Sequence, residues 1–115
     1  MARFKIKRIY DPSADTDGYR VLVDRLWPRG LRKKDAKLDG WNKEVAPSTA
    51  LRKWFDHRPD RFEAFSAKYR EELAVKASDL TRLRDLAKKS TVTLLYAAKD
   101  EKFNHANVLM HVLES

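Results

Sequence analysis

The amino-acid sequence predicts an α/β fold: one domain over residues 1–115, with a roughly three-stranded sheet, two of its strands parallel, and several packed helices. Three observations carry this. Strand-like runs stand near residues 4–9, 19–24 and 91–98. Apolar residues at helical spacing fill much of the long passage between the second and third runs. A connection of that length is a crossover, and a crossover joins parallel strands.

Taken in order, "FKIKRI" alternates Phe4 and Ile6 with Lys5 and Lys7, the period of a half-buried strand, and its lysines suit a sheet edge. "DPSADTDG", residues 11–18, is a turn cluster broken by Pro12 and Gly18. The short link leaves the first strand's direction open, with antiparallel as one option. In "YRVLVD" the consecutive Val21, Leu22 and Val23 indicate an interior strand covered on both faces. Pro47 and Ser48 open a helix with Leu51, Trp54 and Phe55 on one side. Asp60 and Glu63 have the spacing of a capping box before Phe62, Phe65, Tyr69 and Leu73. Ser78 is placed to cap a helix that turns Leu80, Leu83 and Leu86 inward, and Lys88 and Lys89 suit its negative end. "TVTLLYAA" reads as the central strand. Asn104 then caps a last helix burying Val108, Leu109, Val112 and Leu113.

Composition bounds the function. The 115 residues carry 25 basic and 17 acidic side chains, a formal charge of +8, which favours anionic partners without identifying one. The absence of cysteine excludes disulfides, thiolate nucleophiles and sulfur-ligated metals. No apolar run approaches the ~20 residues of a membrane span, and "MARFKIKRIY" has no signal-like core, so a cytoplasmic protein with no membrane partner is expected. Neither GxGxxG nor GxxxxGK[ST] occurs, and no histidine pair has i, i+4 metal spacing, so no metal site is expected and no cofactor is indicated.

Parallel strands point their C-terminal ends the same way, and ligands of open α/β sheets bind outside those ends. The second strand ends in "DRLWPRG" and the third in "AAKDEKFNH", so two charge-rich segments meet on one rim. Asp24 and Asp100 are placed to share a proton or a cation, or else to pair with neighbouring bases. Arg25, Arg29 and Lys99 supply positive charge for an anion, and a helix capped by Asn104 turns free N–H groups toward it. His105 is placed as a general base or hydrogen-bond partner, and His57 joins if the crossover folds over the sheet. Each histidine has the plainer alternative of a surface or capping residue. Trp27 is either an aromatic wall or, in the plainer reading, packing beside a rigid proline corner. Ser48 is a cap before it is a nucleophile. Arg29, Arg32, Lys33 and Lys34 form a basic stretch that suits phosphates, though no nucleic-acid-binding motif accompanies it.

The segments "KRIYDP", "VLVDRLWPRG", "APSTALRKWFDH" and "LLYAAKDEKFNHANVL" resemble the YeaO-like family of small bacterial proteins, from Lys7 to about Leu113. That resemblance implies no reaction. The residues themselves lead to a rim that binds a small anionic ligand, phosphorylated or nucleotide-like, with acid/base chemistry by His105, Asp100 and Asp24. The rival readings are a nucleic-acid-binding or regulatory module using the basic stretch and a non-catalytic adaptor.

Overall fold

A computed structural model describes residues 3–115. Four strands, β1 (Phe4–Arg8), β2 (Tyr19–Leu22), β3 (Gly40–Trp41) and β4 (Val92–Tyr96), form one sheet in the order β1-β4-β2-β3. Every neighbouring pair is parallel. Five helices accompany them: α1 (Lys33–Ala36), α2 (Thr49–Phe55), α3 (Phe62–Ala74), α4 (Ala77–Lys89) and α5 (His105–Glu114).

All five residues of β4 are buried, as its unbroken run of β-branched and apolar residues demands of a strand paired on both edges. Leu94 lies opposite Ile6 on one side and Val21 on the other. Alternation then divides the interior. Val21, Val23, Val92, Leu94 and Tyr96 join the larger core with Phe55, Phe65, Tyr69, Leu83 and Leu109, so α2 to α5 share one face of the sheet. Leu22 and Leu95 point the other way, into a smaller core with Ile9 and Ala36 that Trp27, Leu31, Leu38 and Trp41 cover.

The first strand is parallel, not antiparallel, and the physical reason is its neighbour. β4 separates β1 from β2, so residues 9–18 return the chain past an intervening strand instead of making a hairpin. Asp17 anchors the return. It is fully buried, and its carboxylate accepts from the Ala14 amide at 3.0 Å, from Lys7 Nζ at 3.2 Å and from the Arg20 guanidinium. Lys5 Nζ stands 3.5 Å away. Arg20 also donates to the carbonyls of Ala36 and Lys37, at 3.0 and 3.1 Å, which ties the cover of the smaller core to β2. Burial disfavours a charged Asp17, but the Ala14 amide and the Lys7 and Arg20 contacts outweigh it and lower the pKa to about 2.

The other departures are local. The expected sheet of about three strands gains a fourth: β3 is two residues long, too short to show a periodicity. Asp60 does not cap α3; it pairs with Arg58 at 2.9 Å, and a single 3-10 turn at Pro59–Arg61 leads into the helix. Ser78 lies inside α4, whose N-cap is Lys76. Ser48 and Asn104 do cap their helices, accepting from the amides of Leu51 and Asn107 at 3.1 and 3.0 Å.

Candidate functional site

The pairing with β4 continues one residue past the end of β2: the Val23 amide donates to the Leu95 carbonyl at 3.0 Å. The chains then diverge and leave a cavity of about 240 Å³ at the C-terminal edge of the sheet. Its polar lining comes from Asp24 and Arg25 after β2, Arg52 on α2, His57 in the following turn, and Asn104 and His105 at the start of α5. Leu26, Phe55, Phe65 and Phe103 are the larger apolar walls.

Asp24 and His105 form the deepest polar pair. Their side chains keep 17% and 14% of their exposure, and His105 Nε2 lies 2.9 Å from Asp24 Oδ1. The same nitrogen is 3.1 Å from the Val23 carbonyl. A proton on Nε2 that points to Val23 passes Oδ1 at a poor angle, which leaves Oδ1 buried without an aligned donor. Oδ2 is satisfied by the Ala97 amide at 3.0 Å. With Nε2 protonated, a neutral His105 has its remaining acceptor at Nδ1. The Tyr69 ring meets the imidazole edge-on, with centroids 6.3 Å apart. Burial pushes the Tyr69 phenol well above its ordinary pKa, and the Asp24 and Glu72 charges add to this, so Tyr69 stands neutral behind the imidazole.

The two arginines differ. Arg25 donates to the carbonyls of Pro47 and Ala46, at 3.1 and 3.3 Å, and so staples the loop before α2 to the rim. The Arg52 guanidinium has no hydrogen-bond or ion-pair partner among the described residues. α2 itself is held by Glu72, which accepts from the Ser48 amide at 2.8 Å and the Ser48 hydroxyl at 2.6 Å. After α2, Asp56 and His57 both take left-handed backbone, with φ of 49° and 54°. Two successive non-glycine residues in that region are a strained turn, and it sets His57 on the cavity lining.

A family model described as the inactive DUF488-N3 subclade matches residues 3–115. The chain belongs to that subclade. It is 51% identical over 109 residues to "Uncharacterized protein YeaO" of Escherichia coli strain K12, covering 95% of each chain. It is 44% identical over 111 residues to "Uncharacterized protein Rv3073c" of Mycobacterium tuberculosis, covering 96% of this chain and 93% of the relative. No solved structure matches.

Within this member of the subclade, the cavity gathers Asp24, Arg25, His57, Asn104 and His105 from the residues singled out in the sequence, and leaves out four others. Asp100 is not on the lining. Its Oδ1 accepts from the amides of Lys102 and Phe103, both at 2.9 Å, and these amides hold its carboxyl below the usual range. Trp27 takes its packing role: it meets Trp41 edge-on at 5.3 Å and donates its indole N–H to the Leu31 carbonyl at 2.7 Å, on the smaller core. Arg29 is exposed, and the rigid corner presents its carbonyl, not its guanidinium, to a partner, the Tyr10 hydroxyl at 2.8 Å. Lys99 is exposed and outside the lining. In the basic stretch, Arg32 pairs with Asp35 at 2.9 Å. Among the described residues, no group of three or more histidine or acidic side chains suited to a metal ion occurs, and no helix is long and apolar enough to cross a membrane.

Sequence reasoning missed Arg52 and Phe103. Arg52 had a usable signal: it shares a helical face with Phe55 at i, i+3 and lies one turn after the Ser48 cap. Phe103 had none, because its position depends on the Asp100 loop.

Proposed function

We propose that this chain binds a small anionic ligand in the cavity at the C-terminal edge of its sheet and releases it unchanged. The observation that carries this reading is the unpaired Arg52 guanidinium on the lining of a largely apolar cavity whose floor is the Asp24–His105 pair. Arg52 is exposed, and an arginine that no carboxylate pairs offers a planar fork to a carboxylate or phosphate. Phe55, Phe65 and Phe103 suit a flat apolar body attached to it. The ligand is small: the cavity falls below the roughly 300 Å³ at which sites for drug-sized molecules begin. Asp24 and His105 recognise polar groups of the ligand. The description of the subclade as inactive supports binding without turnover.

A second reading keeps acid/base work for His105, because its Nε2 stands 2.9 Å from the Asp24 carboxylate on the lining of the cavity. One experiment separates the two. Wild-type, Arg52→Ala and His105→Ala proteins are melted with benzoate, nucleoside monophosphates and inorganic phosphate, and the molecules that stabilise the wild type are recovered and analysed. Binding requires that at least one probe raise the wild-type melting temperature and bind roughly 10- to 100-fold more weakly to Arg52→Ala, the loss of one charge-assisted contact. Unchanged recovered ligand keeps the first reading, and a product that His105→Ala no longer forms establishes the second. Wild-type melting indifferent to every probe overturns both.

A further inference from the structure

A second surface lies on the other flank of α2. Leu51 and Phe55 are the helix's buried residues, and Arg52 and Trp54 stand on either side of that buried stripe. Arg52 lines the cavity; Trp54 does not, and it keeps 40% of its surface exposed. Two cations stand over its ring: the Arg61 guanidinium, which also donates to the Trp54 carbonyl, at 5.3 Å from the centroid, and Lys68 Nζ at 5.8 Å. The surrounding sequence is basic as well. Residues 52–70 hold six lysines and arginines against three acidic residues, and one of those three, Asp60, is already engaged by Arg58.

We propose that Trp54, Arg61 and Lys68 form a docking surface for single-stranded nucleic acid, with a base stacked on the indole and the adjoining phosphates met by the two cations. Charge complementarity and ring chemistry together select this occupant. A part-exposed indole that shares its surroundings with two cations matches a strand that alternates flat bases with anionic phosphates. An acidic peptide would use the cations and leave the ring idle. A lipid surface calls for a contiguous apolar patch, whereas the large exposed apolar side chains here are Tyr10, Leu26, Trp54 and Val75, spread over different elements. The surface is independent of the cavity, and it differs from the basic stretch at Arg29 to Lys34, where Arg32 is already paired.

The test is a fluorescence-anisotropy titration of the full chain with a short labelled oligothymidylate, an abasic strand of equal length, a blunt duplex, labelled poly-glutamate and anionic vesicles. The expected result is preference for the oligothymidylate, with affinity falling as salt rises. Trp54→Ala should weaken binding roughly 5- to 100-fold, the range of one lost base–aromatic stack. Trp54→Phe should retain part of the affinity, and the joint Arg61→Glu, Lys68→Glu variant should lose it. Melting curves of the variants separate lost contacts from lost folding, and Trp54→Phe serves if the alanine variant unfolds. Equal affinity for the abasic strand, unchanged binding by folded Trp54→Ala, loss only on substitution of Arg32, Lys33 and Lys34, preference for poly-glutamate or vesicles, or no binding at all would each overturn the proposal.

Discussion

Two aspartates bracket β2, and they are treated in opposite ways. Asp17, before the strand, receives a backbone amide and contacts from Lys5, Lys7 and Arg20. Asp24, beyond the strand's other end, has one oxygen satisfied by Ala97 and the other enclosed beside His105 without an aligned donor. The first is an ion-pair knot that no ligand can improve. The second is incompletely solvated by the protein itself, the condition under which a buried polar group has something to gain from a partner. Asp17, at the N-terminal edge of the sheet, therefore serves the fold, and Asp24, at the C-terminal edge, is left available.

Breaking the knot should have the largest effect. Asp17→Asn removes the counter-charge of Arg20, which is only 5% exposed, and an uncompensated buried charge costs about 3–5 kcal/mol. Thermal melting should fall by roughly 12–20 °C. The glycines carry the same contrast. Gly18 has φ 62°, and a Cβ there would run into the Thr91 carbonyl, so Gly18→Ala should cost on the order of 3 kcal/mol in urea unfolding. Gly30 has φ 78° but open space around it, so Gly30→Ala should cost only about 1–2 kcal/mol in the same assay.

The pH dependence falls between the two glycines in size. The Asp17 carboxyl titrates at about 2 in the folded chain against an ordinary 3.8. A lowered pKa contributes stability that is fully present above about pH 4 and is lost as pH falls toward 2, amounting to about 2 kcal/mol. Urea midpoints between pH 4 and 2 should show this slope in the wild type and lack it in Asp17→Asn. Smallest of all is Asp24→Asn. The amide retains an acceptor for Ala97 and removes an under-satisfied charge, so the expected change is below about 1 kcal/mol, read from the same denaturation curves. A large loss there would erase the distinction between the two aspartates.

The two ends of β2 were not equally legible in the sequence. The buried runs at Val21–Val23 and Val92–Tyr96 showed in the residue types, because covered strands need apolar side chains on both faces. Ser48 and Asn104 showed as caps, since a cap is a local hydrogen bond. From these, the adjacency of the segments after β2 and β4 followed. Asp17 was hidden inside a turn cluster: its importance is conferred by Lys5, Lys7 and Arg20, and no local pattern records three cations arriving from two strands. Arg29 was misplaced for a related reason. A proline corner fixes the direction of the backbone, but the flexible side chain beyond it goes where a partner stands, and Arg29 has none on the cavity lining.

The order of strands across the sheet also governs the order of events when the chain is made. β4 lies between β1 and β2 and supplies both with their hydrogen-bonding partner, yet it is the last strand in the sequence. Until residues 92–96 leave the ribosome, the two earlier strands have a gap where their common neighbour belongs, and the larger core lacks its floor of Val92, Leu94 and Tyr96. The sheet is therefore completed only once β4 has been made, by contacts far apart in sequence, which is the topology of slow and cooperative folding. A chain that lacks β4 leaves Val21, Leu22 and Val23 without their strand partner, an unpaired apolar edge of the kind that favours association with other chains.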